Sequence, residues 1–230
     1  KKALTAKATP VSWFIREFGK ISAVESPQLP ETLPFEASSN SAKEESLQKI
    51  TKELISLEKE LNAIDEKVGD GDAGSTFATG AKKLQELHDQ LPFNNDAELL
   101  ITIGRILARE TGGSSGVLLS IMFTRAGNAY KEHQHLGKAL NEGLQKMKEF
   151  GGAEEGQRTM IDALQPAFTV LAKDGTIEEA AKKAREGANK TKEITNTDFG
   201  RSSYLSEKSL KDIPDPGAEA VAKVFEVLTL

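Results

Sequence analysis

The sequence predicts an all-α protein, an eight-helix up-down antiparallel bundle, on three observations. Apolar residues recur at threes and fours in most segments, the period of a helix face, and no stretch reads as a convincing alternating strand. Ser41-Ala42-Lys43-Glu44 and Thr176-Ile177-Glu178-Glu179 have capping-box spacing, a helix-opening signal. The connections are mostly short, which sets neighbouring helices antiparallel.

The first forty residues stand apart. Pro10, Pro27, Pro30 and Pro34 interrupt them, and Ser38-Ser39-Asn40 closes the stretch. They read as a linker or arm, with a short helix from Val11 to Phe18 whose Trp13, Phe14, Ile15 and Phe18 dock on a neighbouring surface. A disordered tail is the alternative. The helical domain then spans 41–230.

Its first helix opens at Ser41 and carries Leu47, Ile50, Leu54, Leu57, Leu61 and Ile64 on one face. The second runs from about Ser75 to Gln90, with Phe77, Leu84 and Leu87 inward, and Leu91-Pro92 ends it. Asp96 caps the third, striped by Leu99, Leu100, Ile103, Ile106 and Leu107. The fourth follows Thr111-Gly112-Gly113-Ser114-Ser115-Gly116. Its run from Val117 to Phe123 is apolar nearly all round, so it should be central and buried. Leu136, Leu140, Leu144, Met147 and Phe150 stripe the fifth, stopped by Gly151-Gly152. The sixth opens at Gly156 and is bent by Pro166. The seventh carries Ala180, Ala181, Ala184 and Ala188, small side chains that permit close approach. A long loop from Asp198 to Pro214 follows. Asp215 then caps the last helix, with Pro216 at its first position and Val221, Val224, Phe225 and Leu228 on its stripe.

Composition narrows the function classes. The chain has 230 residues and a net charge of −5, so no electrostatic case exists for nucleic acid or an anionic membrane. It has no cysteine, which removes thiolate metal sites, disulfides and cysteine nucleophiles. No apolar run approaches the ~18 residues of a membrane helix. A reducing cytoplasm is the expected location. His88, His133 and His135 have no metal-ligand context and read as exposed polar residues.

The chemistry concentrates between the first two helices. Asp65, Asp70 and Asp72 form a D-x4-D-x-D array with glycines between and after them. Crowded carboxylates repel one another, and a bound cation removes that cost. All-oxygen ligands select a hard cation, Mg²⁺ before Ca²⁺. An EF-hand fits poorly, since no Glu stands at position twelve. The opening of the next helix offers a positive end to anions. A solvated Asp/Gly turn remains the plain alternative. The Gly112–Gly116 loop adds backbone N–H groups and hydroxyls suited to phosphate, without being a Walker A loop. Arg201 in the long loop could meet phosphate charge. In an up-down array the turns after helices one, three, five and seven share one end. The Asp turn, the Gly/Ser loop, Gly151 and the Arg201 loop should therefore cluster there.

Asp65-x4-Asp70-Gly71-Asp72-x-Gly74, Gly112-Gly113-Ser114-Ser115-Gly116 and Asp215-Pro216-Gly217 together resemble the nucleotide-binding L, or DhaL-type, domain of dihydroxyacetone kinases. The resemblance covers about residues 41–230 and is nearest to the single-chain ATP-dependent form, which includes triokinase/FMN cyclases. It implies an eight-helix barrel binding ATP or ADP at one end through two Mg²⁺ ions. By resemblance Asp65, Asp70 and Asp72 are the metal ligands. Ala73, Gly74, Ser75 and Thr76 meet the nucleotide, and Ser114 and Ser115 contact phosphate. Gly151, Thr159 and Met160 surround the nucleoside, Arg201 lies near it, and Asp215, Pro216 and Gly217 border the adenine pocket. Many family members have His or Cys where this chain has Ala73, so one side-chain contact is lost.

The family's substrate-binding K domain holds dihydroxyacetone through a histidine, and nothing before residue 41 resembles it. The implied role is the Mg-ATP half of a kinase, inactive without that domain. The K domain would be its partner, in the same longer chain or a separate subunit, and a homodimer of the full enzyme stays open. The alternatives are an ADP-retaining subunit of a phosphoenolpyruvate-dependent phosphotransferase, FMN cyclisation, and a non-catalytic nucleotide sensor.

Overall fold

The computed structural model describes residues 33–230. The expected helix from Val11 to Phe18 and most of the proposed arm lie outside the described residues. The end of that stretch is pinned. Ser38 donates its N–H to the Leu91 carbonyl and accepts the Phe93 N–H, both at 3.1 Å.

Ten α-helices and no named strand are present among the described residues: α1 (Ser41–Ser56), α2 (Glu58–Val68), α3 (Ala73–Glu86), α4 (Asp96–Glu110), α5 (Gly113–His133), α6 (Leu136–Gly151), α7 (Ile161–Leu171), α8 (Ile177–Lys190), α9 (Glu207–Leu210) and α10 (Pro216–Val227). The expected eight are recovered with two changes. The first helix is broken at Leu57 into α1 and α2. The helical ladder still runs across the break, with Leu57 N–H bonded to the Glu53 carbonyl and Leu61 N–H to that of Leu57. The long 198–214 loop contains a 3₁₀ turn, Arg201–Tyr204, and the short α9.

Helix α3 packs on α1 and α2, and α4 on α3. The chain of neighbours continues through α5, α6, α7, α8 and α10, and α10 returns to α1. The staves therefore close into a ring. Inside, one large cluster joins α5–α8 and α10 through Met122, Leu144, Met147, Leu164, Phe168 and Phe225. Smaller clusters lie under α1–α4. Along the axis lies an apolar cavity of about 260 Å³, bounded by Leu47, Leu54, Leu107, Met122, Leu164 and Phe225 among others.

Closure of the ring corrects two expectations. Helix α5 is a stave, not a central helix. It buries a face of mostly small residues, Gly116, Met122, Ala126, Gly127 and Ala129, and leaves Val117 53% exposed. Phe150 is also outside the core, at 65% exposure, because α6 is ending there.

Several helix starts shift by a few residues. Asn40, not Ser41, caps α1, and Asn95, not Asp96, caps α4, each with its side chain accepting a first-turn N–H. The capping box at Thr176 and Glu179 forms as expected. Helix α7 begins at Ile161, not Gly156, because Gly156 and Arg158 both have positive φ. No helix among the described residues is long and apolar enough to cross a membrane.

Candidate metal and phosphate site

One cleft of about 280 Å³ gathers segments far apart in sequence. Asp65, Asp70, Asp72, Ala73 and Thr76 line it from the α2–α3 turn, Ser114 and Ser115 from α5, Arg201 from the long loop, and Pro216 and Gly217 from α10.

Local sequence builds the acidic turn. Leu61 and Val68 are buried and fix the last turns of α2, which carry Asp65 inward. The chain then reverses through Gly71, at φ 80°, a region that a side chain rarely tolerates. Asp72 flanks the start of α3. Asp65 Oδ2 accepts the N–H groups of Asp72 and Ala73, at 2.9 and 3.2 Å. Asp65 thus staples the turn while its other oxygen stays available.

Carboxylate oxygens of Asp65, Asp70 and Asp72 come within 4.8 Å of one another. The Asp72 carboxyl is pushed above its ordinary value, first by burial and then by the Asp70 charge. Arg201 reaches across from the long loop and pairs with Asp70 at 2.7 Å. Three hard oxygen donors at this spacing suit a hard divalent cation such as Mg²⁺.

The N-terminus of α5 shares the cleft with the acids. A helix start leaves N–H groups unbonded and carries partial positive charge. Other helices in the described chain answer this with a capping side chain or an acidic first turn. At α3 side chains of α2 hold the first-turn donors, Asp65 taking the Ala73 N–H and Asn62 that of Ser75. Helix α5 has no side-chain cap and no acid in its first turn. The α5 start opens into the cleft. The expected Gly/Ser loop is this first turn of α5, from Gly113, with Ser114 exposed and Ser115 half-buried.

Not every expected residue faces the cleft. Gly74 is buried, and a side chain there would strike the Glu58 carbonyl, so its role is close packing of α3 on α2. Ser75 is engaged by α2. Its N–H donates to Asn62 Oδ1 at 3.0 Å, and its hydroxyl accepts from Asn62 Nδ2 at 2.9 Å. Gly151 lies against Leu118, and Met160 against Gly217, behind the cleft wall. Thr159 donates its N–H to Asp162 at 2.8 Å. Asp215 caps α10 by accepting the Ala218 N–H at 2.7 Å. Burial pushes its carboxyl up to about 7, opposed by that N–H and by Arg158.

Sequence reasoning missed Asn62 and Arg158. Asn62 lies on a helix face that reads as solvent-exposed, and only the folded α2–α3 pair gives it a partner. Arg158 lies in a stretch that reads as the opening of a helix. It is 1% exposed. Burial lowers its pKa from the ordinary value, and Asp215 and Asp162 oppose that.

The all-helical ring and the acidic turn beside the open start of α5 fit a domain that takes a cation and an anion together. Comparison makes the assignment specific: residues 67–230 match the DAK2 domain model, and the chain belongs to that family. It is 45% identical over 212 residues to the dihydroxyacetone kinase of Citrobacter freundii, covering 91% of this chain and 38% of that protein. It is 34% identical over 240 residues to the triokinase/FMN cyclase of Mus musculus, covering 97% of this chain and 41% of that one. The crystal structure of the Citrobacter kinase in complex with AMP-PNP and Mg²⁺ superposes with a TM-score of 0.75 at 43% identity, over 91% of this chain and 37% of that one. The chain therefore spans about two fifths of the length of these relatives.

Proposed function

We propose that this chain is the Mg-nucleotide-binding part of a kinase. In this reading it holds ATP for transfer of the γ-phosphate to a hydroxyl of dihydroxyacetone or a related short sugar. The observation that carries the reading is the pairing, in one cleft, of three aspartates with the uncapped N-terminus of α5. A polyphosphate needs both, metal for its charge and N–H donors for its oxygens. The names of the relatives, and the AMP-PNP and Mg²⁺ bound to one of them, support the choice of nucleotide and reaction.

Asp65, Asp70 and Asp72 hold the metal, as a pair of Mg²⁺ ions in this reading. When bound, Mg²⁺ supplies neutralisation of the phosphate charge and alignment of the transferring group. The N–H groups at the start of α5, with the Ser114 and Ser115 hydroxyls, orient the phosphates. Arg201, exposed and paired with Asp70, supplies positive charge in the cleft. Pro216 and Gly217, backed by Met160, border the nucleoside. The acceptor hydroxyl comes from a separate substrate-binding domain, so this chain alone binds nucleotide and transfers nothing. Such a reaction depends on positioning two bodies, and the chain's part is to fix one of them.

Calorimetric titration with ATP and ADP, with and without Mg²⁺, tests the reading. Tight binding only with Mg²⁺ is expected. Binding that is absent, or indifferent to Mg²⁺, would reduce the acidic turn to a structural feature.

A further inference from the structure

The buried Arg158 has no role in the chemistry above, yet several of its features call for one. Its backbone has φ 54°, a left-handed conformation uncommon for a residue with a side chain. It is 1% exposed, and it is one of the few fully buried charged groups among the described residues. Its Nη1 donates to two carbonyls from separate segments, Thr191 at 2.6 Å and Ile213 at 2.9 Å. Its Nε and Nη2 are buried without hydrogen-bond partners. Strain of this kind persists only where the surroundings enforce it, and it clusters at functional sites.

The groups around it join two segments. Thr191 Oγ1 accepts the Asp215 N–H at 2.9 Å, so the end of α8 holds both Arg158 and the start of α10. Asp162 accepts the N–H groups of Gly156 and Thr159, at 2.6 and 2.8 Å, and shapes the turn that presents Arg158. Two residues beyond Arg158, Met160 packs on Gly217, which lines the cleft. The guanidinium thus ties segment 156–160 to segment 213–217, directly behind the cleft wall formed by Pro216 and Gly217.

We propose that Arg158 is a positioning residue for the nucleoside: it clamps segment 156–160 onto segment 213–217 and so fixes the wall on which the base and ribose rest. This extends the nucleotide reading above and rests on it. The clamp acts on the nucleoside side alone. The acidic turn and the starts of α3 and α5 do not depend on it, so polyphosphate capture should be independent of Arg158.

Two substitutions test this. Arg158→Met keeps the apolar stem and removes the donors, whereas Arg158→Lys keeps the charge without the planar fork. Binding of Mg-ATP and of Mg-tripolyphosphate, which has no nucleoside, is compared across them. Arg158→Met should weaken Mg-ATP about tenfold or more, by misplacing the wall, and leave Mg-tripolyphosphate unchanged. Arg158→Lys should recover part of the loss. Equal weakening of both ligands, or no weakening of either, overturns the proposal. Should Arg158→Met fail to fold, the same comparison is made on Arg158→Lys, which should still lose affinity for Mg-ATP selectively.

Hydrogen exchange supplies an arm that needs no nucleotide. The Thr159, Asp215 and Ala218 amides should lose protection in the variants, with Asp72 and Ala73 unaffected. Uniform exchange across both groups overturns the clamp. Wild-type chain that ignores Mg-ATP would sink the nucleotide reading instead, and the exchange data would still decide whether Arg158 fastens the two segments.

Discussion

On the α2–α3 side of the cleft, three carboxylates crowd together, Asp65 buried and Asp70 and Asp72 exposed, and Asp70 pairs with a two-thirds exposed arginine. On the α7–α10 side, Arg158, Asp162, Thr191 and Asp215 form a buried cluster held by hydrogen bonds within the chain. The first side leaves charge for something else to neutralise. The second is nearly complete in itself. Metal and phosphate binding should therefore be separable from fold stability: substitutions on the acidic side should change that binding, and those behind the opposite side should change how firmly the protein folds and, through the wall, how it holds a nucleoside.

The largest effect expected is at the acidic turn. Asp70→Ala removes an exposed carboxylate that accepts no backbone hydrogen bond recorded in the turn. It should weaken Mg-dependent nucleotide binding about 100-fold or more, at least the loss seen when even outer groups of a metal site are removed. Helix content by circular dichroism and the melting temperature should barely move. Asp65→Asn is a harder test, because Asp65 also accepts the Asp72 and Ala73 N–H groups. The amide oxygen can retain those bonds, so metal affinity should fall while the turn persists. A melting temperature that drops sharply in Asp70→Ala would break the comparison, since the acidic side would then be structural.

A middle-sized effect is expected where α7 meets α8. A side chain on Gly187 would run into the Asp162 carbonyl, on the residue that shapes the Arg158 turn. Gly187→Ala should destabilise the protein by about 1–3 kcal/mol through overpacking, measured by denaturant unfolding. Metal binding in the folded fraction should be unaffected. A neutral Gly187→Ala would mean that the α7–α8 contact is looser than its small residues suggest.

How much of this was visible in the chain follows from the range of the interactions. Stripes such as Leu47–Leu61 and Ala180–Ala188 repeat at helical period, so the staves could be counted without a structure. The aspartate turn was equally visible, because its three carboxylates lie within eight positions of one another. Parity then brought the Asp turn, the α5 start, Gly151 and the Arg201 loop to one end, and the cleft gathers all of these but Gly151. What could not be read was set by long-range contact. The break at Leu57 carries no proline or glycine. Ser75 looks free until Asn62, thirteen residues earlier, is seen to hold it. Arg158 looks like an ordinary basic residue at a helix start, and its acceptors lie 33 and 55 positions away. The apolar run after Val117 suggested burial all round, but ring closure gives each stave an outer face.

The last effect expected concerns the charge of Asp215 and shows only as a difference between two pH profiles. Burial pushes its carboxyl from 3.8 up to about 7. Between those values the folded protein keeps a proton that the unfolded chain has released. This contribution to stability is full below pH 3.8 and is lost as pH rises to about 7. Asp215→Asn removes the titration yet keeps the helix cap, since Asn serves at that position as well as Asp. The stability of Asp215→Asn minus that of wild type should therefore rise steadily between about pH 4 and pH 7 and then level off. The other carboxylates titrate in both proteins and cancel in the difference. A flat difference would mean that Asp215 is ionised throughout, with the Arg158 guanidinium as its counter-ion. The buried cluster would then be an ion pair, and Arg158 would secure the start of α10 by charge as well as by its two carbonyl bonds.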